Sequence, residues 1–144
     1  MRGSPFSAKA EYACVAMLEL AARHSDPQPV RLKSVADVHR IPQRFLVQIL
    51  LQLKASGLIV STRGASGGYR LGRPPSQISL ADIIGVIDRT SSGTPLTEPA
   101  SPSVAVVRAV WRQILSTQEK ILTETTLADL LERTRNDEPH IYQI

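Results

Sequence analysis

Cysteine is almost absent from this sequence, and aromatic residues are scarce. A single cysteine, Cys14, in 144 residues excludes an intramolecular disulfide framework and a metal site built from this chain's thiolates alone. With only 4% aromatic residues in a hydrophobic content of 42%, the core must be mainly aliphatic. The longest nearly apolar run begins at Tyr12, is interrupted by Glu19, and is far shorter than the roughly 20 residues of a membrane span. No signal peptide is recognisable, so we expect a cytoplasmic protein without a membrane partner.

No enzyme motif can be assembled from local patterns. A P-loop requires a lysine after its glycines, and the glycine-rich stretch LIVSTRGASGGYRL (58–71) has none. A dinucleotide fingerprint would continue into a helix, whereas this stretch continues as a second strand. No Ser/His/Asp set or carboxylate pair is evident, and no two of the three histidines have the i, i+4 spacing of a helical metal site. We therefore expect neither enzymatic activity nor a cofactor.

Charge is divided unevenly along the chain. Residues 1–73 contain eleven Lys/Arg and four Asp/Glu, a balance of +7, whereas residues 74–144 contain six and nine, a balance of −3, which together give the net +4. A basic half is what binding to a polyanion requires. Basic side chains that only solvate a surface would give the same count.

Three helices are indicated in the first half, at 8–24, 33–40 and 43–56. Pro42 separates the second from the third because proline is excluded from a helix interior but tolerated in a first turn. Gly57 is a natural C-terminal stop. The apolar positions of the third helix step by three and four and are expected in the core: Phe45 or Leu46, Ile49, Leu50 and Leu53.

A basic hairpin follows the third helix directly. LIVST and GYRL predict two strands joined by the turn RGASG, in which Gly64, Gly67 and Gly68 would supply positive φ angles. A short strand at 30–32 is also indicated. Two helices joined by a turn and followed by such a hairpin form a winged helix-turn-helix. A tip of small residues lets Arg63 enter a DNA minor groove, which is about 6 Å wide.

The second half consists of a short helix, a linker and a long helix. Ser79 and Asp82 resemble a capping pair at the start of the helix ISLADIIGVIDR. A polar linker rich in Pro, Ser and Thr spans 90–103. A short closing helix is expected at 125–135, with a frayed tail after it. Between them, an apolar stripe steps by three and four along the long helix: Val104, Val107, Trp111, Ile114 and Ile121.

The sequence resembles the Rrf-type winged-helix transcription regulators, the family of IscR, NsrR and CymR. The resemblance is carried by YACVAMLELA in the first helix, by IPQRFLVQILLQLKASGLIVSTRGASGGYRL through the third helix and hairpin, and by RPPSQISLADIIGVID after it. AVWRQI in the long helix continues it. Together these segments span residues 7 to 133, and the wing pattern R-G-x-x-G-G-Y-x-L is specific to the family.

The resemblance implies a mainly α fold with a small β-hairpin wing and a long C-terminal dimerisation helix. The winged helix-turn-helix DNA-binding head is assigned to 7–89, a flexible linker to 90–103, and the dimerisation and closing helices to 104–135. Two chains would pair through their long helices as a homodimer that reads a palindromic site. The stripe from Val104 to Ile121 agrees, because so long a helix after a linker cannot easily bury its apolar face on one small domain. Packing within one chain is the alternative for Trp111.

The resemblance also implies roles for single residues in binding double-stranded DNA. The start of the 43–56 helix would meet base edges in the major groove; its candidates are Gln43, Arg44, Phe45 and Gln48. Gln48 suits adenine, Arg44 suits guanine or a phosphate, and Phe45 suits a thymine methyl group. The 61–70 wing would enter the minor groove with Arg63, Gly64, Ser66 and Gly67. Candidate phosphate anchors are Lys9, Tyr12, Lys33 and Ser34.

The chain departs from the family in the linker before the long helix, where many members hold the cluster through which they sense their signal. In these members three cysteines before the long helix hold an iron–sulfur cluster, and in IscR-like members a histidine at the start of that helix helps. Here the linker has no cysteine, Arg108 occupies the histidine's position, and Cys14 is expected to be a core residue. Val47 replaces a glutamate that cluster-sensing members often carry, which suggests a different or broader site preference.

We therefore predict a dimeric, sequence-specific transcription regulator, acting as a repressor, without an iron–sulfur cluster. Its signal would be a partner protein such as a metabolic enzyme, a small-molecule effector, or none. The alternative is a protein-interaction module derived from this fold that no longer binds DNA.

Overall fold

The structure, a computed structural model, describes residues 5–88 and 97–142, with side chains to residue 136. It confirms the mainly helical fold with a two-stranded antiparallel hairpin. Its elements are α1 (Ala8–Ala22), α2 (Leu32–His39), α3 (Gln43–Ala55), β1 (Ile59–Thr62), β2 (Gly68–Leu71), a 3-10 turn (Pro75–Gln77), α4 (Leu80–Ile87), α5 (Pro102–Glu124) and α6 (Leu127–Tyr142). No helix in the described ranges is long and apolar enough to cross a membrane.

The core is aliphatic and is organised around α1. This helix packs against α3, α4 and α6, and its Ala10, Ala13 and Ala16 are at most 1% exposed. Small side chains on the buried face let the neighbouring helices approach closely, so that larger side chains fill the space between them. The largest fully buried members are Met17, Leu20, Val35, Leu46, Ile49, Leu50, Leu53, Ile59, Ile78, Ile83 and Leu127.

The helix-turn-helix is fixed by backbone caps and by one side-chain hydrogen bond. Arg40 ends α2 in the left-handed conformation, with φ 54°, and the amide of Ile41 donates to the carbonyl of Ala36 at 3.0 Å. His39 Nε2 lies 2.7 Å from Glu19 Oε1 of α1, which fastens the end of α2 to the first helix. Gly57 ends α3 with φ 83°, as the sequence predicts.

The hairpin is joined by a third segment along its edge. β1 and β2 pair from Ile59 with Leu71 to Thr62 with Gly68, and Val30 exchanges two backbone bonds with Tyr69, of 2.9 and 2.7 Å. The strand expected at 30–32 is therefore an isolated bridge at Val30. The expectation was wrong for Leu32, which begins α2.

Two expected boundaries in the second half were wrong. The long helix begins at Pro102, two residues earlier than 104, because Ser101 caps it by accepting from the Val104 amide at 3.3 Å and Pro102 suits the first turn. The closing helix does not stop at 135: α6 continues to Tyr142. The Ser79–Asp82 capping box is confirmed, with bonds of 3.0 and 3.1 Å. Residues 89–96, which include the first half of the expected linker, lie outside the described ranges.

The junction between α5 and α6 is bonded to the start of α4. The Leu80 amide donates to the Thr125 carbonyl at 2.9 Å, and the Leu127 amide donates to the Ile78 carbonyl at 2.9 Å. Leu127 is fully buried in the core. We call the body formed by α1 to α4, the hairpin and the packed start of α6 the head.

Candidate nucleic-acid interface

The first turns of α3 present polar side chains to solvent while the opposite face enters the core. Gln43, Arg44 and Gln48 are exposed, whereas Leu46, Ile49, Leu50 and Leu53 are at most 2% exposed. The sequence left Phe45 or Leu46 open as the first core position. The structure assigns Leu46, which is fully buried, and leaves Phe45 38% exposed.

Phe45 contacts an aromatic ring of α1 and a cation of its own helix. Its ring centroid lies 6.4 Å from that of Tyr12, and the Arg44 guanidinium carbon lies 5.0 Å from the same centroid. Both distances are in the range of favourable aromatic and cation–π contacts. Tyr12, predicted as a phosphate anchor, thus lies beside the start of α3. Lys9, three residues earlier on α1, is half-buried.

Two exposed apolar side chains extend the exposed surface of α3. Val47 is 43% exposed and Leu51, one turn later, is 60% exposed. Val47 was considered above only for the glutamate it replaces, and Leu51 was not predicted to belong to this surface. The signal was available, because Leu51 falls off the spacing of the buried residues.

The hairpin presents Arg63, Gly64 and Ser66 at its exposed tip. We call residues 63–67 the wing turn. The prediction that Gly64 adopts a positive φ is confirmed at 108°, but the same prediction was wrong for Gly67 and Gly68. Those two glycines are required by close approach: a Cβ on Gly67 would lie 2.1 Å from the Thr62 carbonyl oxygen, and one on Gly68 would lie 2.5 Å from that of Val30.

A side-chain hydrogen bond that was not predicted from the sequence links the start of α2 to the wing turn. Arg31, the residue before α2, donates a hydrogen bond from Nη2 to the carbonyl oxygen of Ala65. This contact brings the first turn of α2, with exposed Lys33 and half-buried Ser34, close to the hairpin tip. The candidates on α2 and on the wing therefore belong to neighbouring segments.

The predicted dimer stripe is exposed along α5. Val107, Trp111, Ile114 and Ile121 are 48–57% exposed, and Val104 is half-buried. Val106, Val110 and Leu115 widen this apolar surface and were not predicted. Within the described residues, no side chain of α5 is fully buried.

Cys14, His24 and His39 form no metal centre in the part of the chain whose side chains the structure describes. No group of three His, Cys, Asp or Glu residues there could hold a metal ion. Cys14 is half-buried, and burial, together with the nearby carboxylates of Asp88 and Glu11, raises the pKa of its thiol to about 11. The thiol is therefore protonated at neutral pH, which makes it a poor nucleophile and a poor ligand.

The exposed start of α3 beside a basic hairpin defines a DNA-binding transcription regulator of the winged helix-turn-helix class. Residues 6–133 match the family described as "Rrf2: Iron-dependent Transcriptional regulator". The chain is 35% identical to the HTH-type transcriptional regulator CymR of Bacillus subtilis, over 92% of this chain and 93% of CymR. It is 31% identical to IscR of Vibrio atlanticus, over 87% of this chain and 73% of IscR. The chain belongs to the Rrf2 family.

Solved structures agree with this assignment. CymR, titled the global cysteine regulator of B. subtilis, superposes with a TM-score of 0.80 at 35% identity, covering 92% of this chain and 99% of CymR. T. potens IscR superposes with a TM-score of 0.76 at 35% identity, covering 92% and 89%. These proteins are transcriptional regulators, so the chain is not an enzyme.

An iron–sulfur cluster does not fit the residues present at the start of α5. The segment 90–103 contains no cysteine, and the guanidinium of Arg108 donates to the carbonyl and the hydroxyl of Thr97, at 2.6 and 3.3 Å. A bonded cation at this position can neither ligate iron nor replace the missing thiolates.

Proposed function

We propose that the protein is a homodimeric, sequence-specific repressor that reads a palindromic DNA site. The observation that carries the proposal is the pairing of an exposed polar start of α3 with an arginine at the tip of a small-residue wing turn. In each head, α3 lies in the major groove and the wing enters the adjacent minor groove.

The chemistry of α3 suits base reading. Gln48 can accept from and donate to adenine in a bidentate manner, and Arg44 can donate to guanine or to a phosphate. Phe45, held by Tyr12 and Arg44, offers an apolar edge to a thymine methyl group. Lys33, Ser34 and Lys9 would contact phosphates, which set the register of the head rather than its sequence preference.

The wing suits a narrow groove. Arg63 is followed by Gly64 and Ala65, whose small size lets the backbone approach the groove floor. Arginine is favoured there because the narrow minor groove concentrates the negative potential of the phosphates. Ser66 and Gly67 complete the turn that would approach the sugar–phosphate backbone.

The exposed stripe of α5 supports the homodimer. Val107, Trp111, Ile114 and Ile121 lie on one side of a helix with no fully buried residue, and so large an apolar surface is typical of a protein interface. Pairing two such helices brings two heads to one DNA face, with half-sites separated by about one helical turn or a multiple of it. We accordingly assign 7–89 to DNA binding, 90–103 to a linker, and 104–135 to the dimerisation helix and the closing helix, whose first turn packs in the head.

The signal is proposed to be a small molecule or a partner protein rather than a cluster, with constitutive repression as the remaining alternative. A cavity of about 500 Å³ lies between the N-terminal segment and α5, lined in part by Phe6, Thr117 and Gln118. This volume falls within the usual range for ligand pockets. Ile114 and Ile121 also line it, so a ligand there would contact residues of the proposed dimer interface.

The test is fluorescence anisotropy with DNA from upstream of the protein's own gene, at two salt concentrations. We expect tight binding that weakens with salt, with log K falling by about 0.9 per log unit of salt for each phosphate neutralised. Arg63→Ala should lose about 1–3 kcal/mol of binding free energy. The matched control is Arg133→Ala, which removes the same charge from exposed α6 and should bind like the wild type.

Failure of the wild type to bind that DNA or a random-sequence pool, with and without cell extract as a source of effector, would contradict DNA binding. It would favour a protein-interaction module derived from this fold. Equal losses in the Arg63 and Arg133 variants would contradict the role of the wing.

A further inference from the structure

The wing turn projects beyond the last paired residues of its hairpin. Pairing ends at Thr62 with Gly68, and inside the turn the Gly67 amide donates to the Gly64 carbonyl at 3.0 Å. The residues from Arg63 to Ser66 are exposed, and Gly64, Ala65 and Ser66 are too small to pack the turn onto the head. Packing therefore does little to set the direction of the turn.

A hydrogen bond from a different segment reaches the tip. Arg31 donates from Nη2 to the carbonyl oxygen of Ala65, across 34 residues of sequence. Among the hydrogen bonds of the described residues, this is the one that joins the wing turn to a segment outside the hairpin.

The base of the Arg31 side chain is firmly held. Val30, immediately before it, exchanges two backbone bonds with Tyr69 of β2. The two backbones can approach so closely because residue 68 is glycine. A Cβ at this position would lie 2.5 Å from the Val30 carbonyl oxygen. On its other side Arg31 is the N-cap residue of α2. The guanidinium thus extends to the tip from a backbone fixed by both β2 and α2.

We propose that Arg31 is a positioning residue for the wing: its bond to the Ala65 carbonyl holds the wing turn in the conformation that presents Arg63 to DNA. The proposal rests on the DNA-binding function proposed above. It links the helix-turn-helix to the wing, so that a displacement of α2 also displaces the tip that enters the minor groove.

The test is a double-mutant cycle on DNA binding. Arg31→Met removes the donors and should weaken binding about fivefold, which corresponds to the roughly 1 kcal/mol that one hydrogen bond typically contributes. In the Arg63→Ala background the same change should cost less than about twofold, because residues that act through one contact are not additive. Arg31→Lys, which keeps a donor and the charge, should restore most of the affinity. Arg133→Met is the control for loss of a surface charge.

A second measurement needs no DNA. Backbone amide relaxation by NMR in the free protein should show increased motion of residues 63–67 in Arg31→Met, and motion close to wild type in Arg31→Lys, while the amides of α3 stay unchanged.

The outcomes separate this inference from the proposed function. If the wild type binds DNA but the Arg31 and Arg63 losses add fully, and Arg31→Met lowers the salt slope by about 0.9 in both backgrounds, Arg31 is an independent phosphate contact and the inference is wrong. Unchanged motion of the wing turn would also overturn it. Absence of DNA binding by the wild type would overturn the proposed function, whereas the NMR result would still test the positioning contact.

Discussion

Helices α3 and α5 differ in where their apolar residues lie: those of α3 are mostly buried and those of α5 are mostly exposed. Both carry apolar side chains at steps of three and four. In α3, the four core residues from Leu46 to Leu53 are at most 2% exposed. In α5, which is longer at 23 residues, no side chain is fully buried, and Trp111 is 57% exposed.

A regular spacing of apolar residues therefore identifies a helix face that needs a partner, but it does not say where that partner is. α3 finds its partners inside the head, where α1, α2, α4 and the start of β1 surround it. α5 contacts α4 and leaves most of its stripe uncovered. We therefore expect substitutions in α3 to act on folding and substitutions in α5 to act on assembly.

The largest effect is expected in the core of α3. Leu53→Ala removes a side chain that is 0% exposed and should lower the free energy of unfolding by about 2–5 kcal/mol, because it leaves a cavity in a packed core. Leu51→Ala, two residues away, is the matched control: Leu51 is 60% exposed, so the change should be within about 0.5 kcal/mol. Urea unfolding followed by circular dichroism measures both. Similar losses in the two variants would break the contrast within α3.

A smaller effect on folding, but a large one on assembly, is expected in α5. Trp111→Glu places a charge in the proposed interface and should weaken dimerisation by about 100-fold or more, since a buried tryptophan is a typical interface hot spot. Ser116→Glu adds the same charge about 140° around the helix and should leave the dimer intact. Sedimentation velocity at micromolar concentration distinguishes the two. A wild-type protein that sediments as a monomer would show that the stripe of α5 has another partner.

The smallest effect is expected where α5 and α6 meet, and it depends on pH. Hydrogen bonds from Thr126 lower the pKa of Asp129 below its ordinary 3.8; the Thr126 amide donates to Asp129 Oδ2 at 3.0 Å. The ionised carboxylate stabilises the fold at any pH above the ordinary pKa of 3.8. This contribution is lost as the pH falls through the lowered pKa of the folded state. Asp129→Asn should therefore lower Tm slightly at neutral pH and have less effect below pH 3.8.

The control for that measurement is Glu132→Gln, which removes an exposed carboxylate from the same helix. Thermal unfolding at both pH values should show no comparable loss for it. If Asp129→Asn lowers Tm by the same amount at neutral and acidic pH, the carboxylate does not stabilise the junction through its charge.

Features that depend on neighbouring residues in the sequence could be predicted. The helices of the head, the hairpin, the stop at Gly57 and the Ser79–Asp82 capping box follow from spacing and from residues within four positions of one another. The family resemblance supplied the fold class, which the structure confirms. It also supplied candidate DNA contacts, which stay predictions.

Contacts between distant residues left no such pattern. Arg31 bonds to Ala65, 34 positions away, and Glu19 binds His39, 20 positions away; both depend on how the elements pack. The requirement for glycine at position 67 could not be predicted either. The Thr62 carbonyl that excludes a Cβ there comes close only once the turn has formed. The sequence shows that a glycine is present, but only the folded structure shows which atom approaches it closely.

The attachment of α5 at its C-terminal end makes this helix a lever. The bonds of Thr125 and Leu127 to the head act as its pivot, and 23 residues extend about 35 Å from it at 1.5 Å per residue. A tilt of about 6° at this pivot moves the far end by about 3.6 Å, close to the 3.4 Å rise of one base pair. In the homodimer proposed above, small rotations at the junction would therefore be enough to change the distance between the two heads by about one base-pair step.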